Sequence, residues 1–353
     1  MEKARVLELF SGIGGMHFSL NESKVPSEVI LAIDINDIAN KVYHHNFPDH
    51  KVISKNIKGL TPAFINKLQV NTILMSPPCQ PFTRNGKFLD IEDARTDPFN
   101  LICELIPDLT TIEFILMENV MGFEKSIARE MYLKVLENNG YYYQEFIISP
   151  TELGVPNTRH RYYCLARKFK EFKFKSKEIL RQLPDHTPQE VDPIKTFLES
   201  DGPEKLTEYL LPAKILSSRY KVFAISTPDS MNSMCFTKAY THYLEGTGSI
   251  FTSIDENEVE KVFDLLLNRG VESKPGNKKL KSDLELEETS EDPLKLLKPL
   301  KLRYFTPKEV SRLMKFPESF SFPEGVTRKQ KYRLLGNSIN VAVVSELIKL
   351  LFS

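Results

Sequence analysis

Residues 5–10 form a largely apolar run that breaks directly into Ser11-Gly12-Ile13-Gly14-Gly15. No other feature constrains the fold of this chain as much. A strand apolar on both faces needs a layer above and a layer below it. Glycines at its end let the backbone turn sharply into a helix, here from Met16. The same grammar recurs at residues 29–33, ending on Asp34, and at residues 72–75 and 114–117, each run followed by a polar or proline-rich turn. Short continuous apolar runs alternating with helical periodicity predict an α/β fold around a parallel sheet.

The length of 353 residues fits two domains or one enlarged one. With 41% apolar and 27% charged residues, the chain is neither disordered nor collagen-like. Its 47 basic residues balance 47 acidic ones, so a polyanion site has to be a local basic patch. The four cysteines, Cys79, Cys103, Cys164 and Cys235, have neither CxxC spacing nor disulfide-scaffold density, which predicts a reducing, intracellular setting. No signal peptide and no 18-residue apolar span is expected.

Two basic blocks follow the first half. Residues 159–181 and 301–333 each carry nine Lys or Arg. Residues 283–292 carry six acids and no base, within a stretch, 268–293, that has four apolar residues and no aromatic. That stretch reads as a mobile loop. Near the end, Ile339, Val343, Val344, Leu347, Ile348 and Leu351 form one apolar helix face.

Five motifs carry chemistry. At the glycine turn, helix amides can meet a ligand, and Asp34, about 20 residues on, can bind ribose hydroxyls. Together they predict a nucleoside cofactor, a structural turn being the alternative; the spacing is not GxGxxG, which argues against NAD or FAD. In residues 76–84, SPPCQPFTR, prolines stiffen the chain on both sides of Cys79 beyond a strand end, which predicts a nucleophile; Cys103 and Cys164 read as inert core thiols. Glu118-Asn119-Val120 follows the strand at 114–117, so Glu118 is either a site acid or an exposed turn carboxylate. Arg159 and Arg161 alternate onto one strand face, with His160 on the other. Gly336-Asn337-Ser338-Ile339-Asn340 opens the last helix, with Asn337 or Ser338 as its cap.

In this order, FSGIGG, AID, SPPCQPFTR, ENV, the Arg-x-Arg strand and GNSIN resemble the cytosine-5 methyltransferases that use S-adenosylmethionine. The resemblance covers residues 5–167 and 301–353. It is greatest with the RNA-acting branch, the tRNA-aspartate cytosine-5 methyltransferases. CFTKAY at 235–240 matches that branch's CFT segment, Asn157 stands where most DNA enzymes have Gln, and the glycine motif starts too early for a long regulatory N-terminus.

The resemblance implies a Rossmann-like class I S-adenosylmethionine methyltransferase sheet with a smaller target-recognition domain: a catalytic domain over 1–190, a target-recognition region over 191–300, and a segment, 301–353, that returns to the catalytic domain. Carbon 5 of cytosine is a poor nucleophile. Addition of the Cys79 thiolate to carbon 6 makes the ring an enamine, carbon 5 takes the methyl group, a base removes the carbon-5 proton, and the thiol leaves. Glu118 would supply the proton at ring nitrogen 3, Arg161 would hold the oxygen at carbon 2, and Arg159 would support the site. The cofactor would lie against Phe10, Gly12, Ile13, Gly14 and Gly15. Its ribose would meet Asp34 and Ile35, its adenine Ile57 and Lys58, and its amino-acid end Ser76, Pro78, Asn337 and Ser338. S-adenosylhomocysteine would be the product, and no metal is implied.

The implied substrate is cytosine 38 in the anticodon loop of aspartate tRNA. A loop base is cheaper to extrude than a duplex base. The basic blocks, with Phe172, Phe174, Tyr304 and Phe305 among them, are expected to grip and stack RNA. Weak DNA binding beside the tRNA substrate is compatible with this reading; a DNA cytosine-5 methyltransferase and a catalytically inactive nucleic-acid-binding relative are the alternatives. We expect a monomer, in the cytoplasm with the nucleus as a second compartment.

Overall fold

The computed structural model describes residues 3–78, 97–187, 189–200, 206–268 and 292–353. Among them, one sheet contains β1 (Ala4–Leu9), β2 (Ser27–Asp34), β3 (Val52–Ser54), β4 (Thr72–Met75), β5 (Phe114–Val120), β6 (Tyr142–Ile148) and β7 (Arg161–Arg167). The strand order is β3-β2-β1-β4-β5-β7-β6. β1 is parallel to β2 and β4, β2 to β3, and β4 to β5. The large parallel sheet is as expected, with one strand reversed: β7 runs antiparallel to both neighbours. The connection from β6 to β7 contains only the turn Pro150–Leu153 and no crossover helix, so it returns the chain antiparallel. An apolar run shows burial on both faces but not strand direction.

Alternate residues of the strands feed two helix layers. Ala4 and Val6 share a core with Met16 and Leu20 of α1 (Gly15–Ser23) and with Val344, Leu347 and Leu351 of the terminal helix Val341–Phe352. α2 (Asp37–Asn46) joins this side through Val42 and Tyr43. Leu7 and Leu9 face the opposite core, with Ile65 of α3 (Pro62–Lys67), Ile102 of α4 (Asp97–Leu105), and Leu133 and Leu136 of α5 (Ile127–Asn138). Each such aliphatic side chain contributes about 1.5–3 kcal/mol on burial. Cys103 and Cys164 belong to this second core, at 5% and 0% exposure.

A smaller sheet pairs Ile225–Ser226 with Ile250–Phe251, and Ile250–Phe251 with Arg303–Tyr304. Its third strand thus comes from the segment after residue 300, and one hydrophobic core runs from Ala4 through Phe236 and Phe251 to Phe352. Burial also corrects the stacking expectation. Phe172, Tyr304 and Phe305 are 2%, 8% and 0% exposed and Phe174 packs against the core, so none of them is an open stacking platform. Within the basic blocks, Arg167 and Arg303 are buried, Arg303 against Glu309 at 2.7 Å. The expected loop 268–293 lies outside the described residues except at its ends, where Asn268 closes one helix and Pro293 opens another.

The C-terminal motif differs from its expected form. Asn337 ends the helix Arg328–Asn337, Ser338 is that helix's C-cap, and Asn340 caps the terminal helix by accepting from the Val343 amide. Residues 328–352 are long and apolar enough to cross a membrane by composition. They are broken at Ser338–Asn340 and mostly buried inside the fold.

Candidate active site

The carboxyl ends of β1, β2, β4 and β5 open onto a cavity of about 520 Å³, within the size range of small-molecule sites. Open α/β sheets bind ligands at this edge. β1 delivers Phe10, Gly12, Ile13 and Gly15 to the wall, β2 delivers Asp34 and Ile35, and the turn after β3 delivers Ile57 and Lys58. Ser76 and Pro78 follow β4, Glu118 stands on β5, Arg159 and Arg161 flank the start of β7, and Asn337 and Ser338 arrive from the far end of the chain.

The glycine turn is held from below and from behind. Its Gly12 amide donates to Asp34 Oδ2 at 2.8 Å, while Asp34 Oδ1 accepts from the Asn36 amide at 2.8 Å. Asp34 therefore couples the ends of β1 and β2 as well as facing the cavity. Phe10 has a positive φ of 56°, a strained conformation for a residue with a side chain. Gly15 is a close approach: a Cβ there would stand 2.8 Å from Ser338 Oγ. Gly14 does not line the cavity. Its φ is +85°, and a Cβ would meet Phe47 at 2.7 Å and Tyr43 at 3.2 Å, so its Cβ side packs against the end of α2.

Glu118 is 6% exposed and lies inside β5, not in a turn after it. This removes the exposed-turn alternative. Ser76 Oγ donates to Glu118 Oε2, and Arg161 Nε lies 3.5 Å from Glu118 Oε1. A strand-borne carboxyl with partners on β4 and β7 has a fixed direction. Burial opposes the charge of Arg161, but Cys235, Glu118 and Tyr163 around it outweigh that and hold it more firmly protonated than usual.

Arg159 is 3% exposed and ties three segments together. Its Nη1 donates to Phe236 O at 2.9 Å and to Cys235 Sγ at 3.3 Å; its Nη2 donates to Gly336 O at 3.2 Å and to Ser338 O. Gly336 permits this junction, because a Cβ there would lie 2.2 Å from the backbone of Thr237 and Lys238. Arg161 Nη2 also reaches Cys235 Sγ, at 3.6 Å. The two guanidiniums converge on one thiol, as their alternation predicts, although Arg159 precedes the strand itself.

Cys235 is the functional candidate that motif reading passes over. CFTKAY stands out as a segment, yet its pattern gives the cysteine no role. Burial would raise this thiol, but Arg159 and Arg161 pull it below the usual cysteine range. Its neighbour along the segment, Lys238, lines the cavity and carries no motif signal either. His160 is exposed. Cys79 lies outside the described residues; Pro78, which precedes it in sequence, is the last described residue of the proline turn and lines the cavity.

The family of C-5 cytosine-specific DNA methylases matches residues 4–353. A tRNA (cytosine(38)-C(5))-methyltransferase of Spodoptera frugiperda is 47% identical, with 99% of each chain covered. The Homo sapiens protein of the same name is 38% identical over 100% of both chains. A Dictyostelium discoideum protein named DNA (cytosine-5)-methyltransferase is 37% identical, over 100% of this chain and 95% of its own. The crystal structure of a Spodoptera frugiperda DNMT2 mutant superposes with a TM-score of 0.85 at 45% identity, covering 99% of this chain and 100% of that one. Sheet order, cavity position and these matches agree on a Rossmann-like methyltransferase fold, and the chain belongs to the C-5 cytosine-specific DNA methylase family.

Proposed function

We propose that this chain methylates carbon 5 of cytosine 38 in the anticodon loop of aspartate tRNA, through a transient Cys79 adduct and with S-adenosylmethionine as methyl donor. One observation carries the reading. The glycine turn, Asp34, Glu118, Arg161 and the proline turn leading to Cys79 all border one cavity.

The residues fit the cofactor. At Gly12 the Cβ direction is open, with no atom within 4 Å, whereas Gly15 lets Ser338 close in, so the turn makes a cradle that side chains would fill. Asp34 and Asn36 suit ribose hydroxyls, Ile57 and Lys58 the adenine, and Ser76 and Ser338 the amino-acid end. When bound there, S-adenosylmethionine supplies an electrophilic methyl group on its sulfonium.

The chain's own groups do the remaining work. Cys79 bonds to carbon 6 of the cytosine. Glu118, held by Ser76, faces ring nitrogen 3 and provides the proton that the adduct needs. Arg161 fixes the carbon-2 oxygen, and Arg159 keeps the recognition segment seated on the cofactor lip.

A basic stripe supports an RNA partner. Lys329, Arg333 and the cavity residue Asn337 recur every four residues on one helix face and are all exposed. Exposed Lys238 stands at the same rim. Among the described residues, no ion pair occupies Lys238, Lys329 or Arg333, which suits them to phosphates. Labelled cofactor offered with bulk tRNA, single tRNA transcripts or duplex DNA tests the reading. Label in aspartate tRNA is expected. Label in DNA alone would favour the DNA alternative, and label in neither the inactive one.

A further inference from the structure

Residues 156–159 and 232–236 lie side by side and are joined by polar contacts at every step. Ser233 Oγ donates to Pro156 O at 2.7 Å. Asn157 Nδ2 donates to Ser233 Oγ at 3.0 Å and to Met234 O at 3.0 Å. The Thr158 amide donates to Ser233 O at 2.9 Å, and Thr158 Oγ1 to Asn232 Oδ1 at 2.6 Å. Arg159 then takes over with Cys235 and Phe236. The second strip leads to Lys238 on the cavity wall, and its Cys235 touches Arg161.

Asn157 is the hinge pin of this contact. It is 1% exposed, it is neutral, and it does not itself line the cavity. Its carboxamide spends its donors on the recognition strip and thereby sets how far that strip stands from Arg159 and Arg161. Ser233 reinforces the fit, since its hydroxyl accepts from Asn157 while donating to Pro156. Asn157 Nδ2 and Ser233 Oγ are both engaged here, and buried contacts of this kind tolerate little displacement.

We propose that Asn157 is a positioning residue for methyl transfer: with Ser233 it fixes the spacing between the recognition strip and the arginine pair, and so the placement of the target base. This rests on the proposed tRNA methylation, and its length is the critical property. Asn157→Gln adds one methylene, about 1.5 Å. The longer carboxamide cannot meet both Ser233 Oγ and Met234 O without pushing the strip outward. An ångström of misplacement costs roughly a hundredfold in rate.

The test compares wild type, Asn157→Gln, Ser233→Ala and the double variant Asn157→Gln/Ser233→Gly on an aspartate tRNA transcript. Wild-type turnover and S-adenosylhomocysteine binding are measured first, so failure of the functional reading shows there and not in the variants. In Asn157→Gln, kcat is expected to fall roughly 10–100-fold, with tRNA KM, S-adenosylhomocysteine affinity and melting temperature close to wild type. The double variant makes room for the extra methylene but also lacks the Ser233 hydroxyl, so its kcat is expected to rise above that of Asn157→Gln to about the level of Ser233→Ala. Wild-type kcat in Asn157→Gln would overturn the proposal, as would a loss that tracks cofactor binding and is not rescued. If Asn157→Gln does not fold, Ser233→Ala, which removes one partner and adds no bulk, must still lower kcat; unchanged kcat there overturns it equally.

Discussion

Gly15 and Ser338, from opposite ends of the chain, stand so close that a Cβ on residue 15 would lie 2.8 Å from the Ser338 hydroxyl oxygen. Ile339 presses on the same point, also at 2.8 Å. The first and last motifs therefore share one wall of the cavity. Gly15→Ala is expected to push Ser338 and Ile339 aside, costing about 1–3 kcal/mol of stability. It should also weaken S-adenosylhomocysteine binding by about tenfold or more. Calorimetric titration alongside a melting curve checks both; undiminished affinity would show that Ser338 does not border the bound ligand.

Glu8 gives a pH prediction. It lies on β1, 0% exposed, facing the layer of α1 and α2. Tyr43 Oη donates to its Oε2 at 2.9 Å, while Oε1 has no partner among the described residues. Burial, aided by the charge of Asp34, pushes its pKa up to about 8 against the donors Tyr43 and the His17 amide. The folded state then keeps a proton that the unfolded chain releases near pH 4.5, so folding is progressively disfavoured from about pH 4.5 to 8. Glu8→Gln removes this penalty. Relative to wild type it should gain stability between pH 5 and pH 8, by on the order of a few kcal/mol at most. Urea titrations at the two pH values measure the difference.

Arg159 and Lys differ in geometry, not charge. The Arg159 fork reaches the backbone oxygens of Phe236, Gly336 and Ser338 together, which one ammonium cannot do. Arg159→Lys is expected to lower the melting temperature and to reduce kcat by roughly 10–100-fold through misplacement. Steady-state kinetics on tRNA, with a melting curve, will separate the two effects.

Glu118→Gln keeps a similar shape but supplies no carboxyl proton. Turnover should drop by roughly two to four decades, with S-adenosylhomocysteine still bound. A covalent adduct with fluorinated-cytosine RNA should form in wild type and be lost in Cys79→Ala. Adduct in Cys79→Ala would place the nucleophile elsewhere, Cys235 being the thiol to examine.

Neutralising Lys238, Lys329 or Arg333 one at a time should weaken tRNA binding and flatten its salt dependence, by roughly 0.7 to 1 in slope for each phosphate that is no longer neutralised. Filter-binding isotherms at several salt concentrations give the slope. An unchanged slope would remove that residue from the RNA path.

The sequence alone determined the local chemistry. The run at residues 5–10 and its glycines read as a buried strand and a tight turn, and Asp34 as the end of the next strand, because hydrophobic periodicity and glycine placement are short-range properties. The order of the motifs likewise carried the family. What crosses the chain needed the tertiary structure. For Glu118 the sequence leaves a site acid and an exposed turn carboxylate both open, and only pairing with β7 puts it inside β5. Phe172, Tyr304 and Phe305 looked like stacking platforms until packing buried them. That Gly14 also leaves room for Phe47 and Tyr43 is visible only in the fold. Cys235 acquired its electrostatic setting only when Arg159 and Arg161 folded against it. In each case the deciding partner is distant in sequence, and burial and electrostatics depend on distance in space.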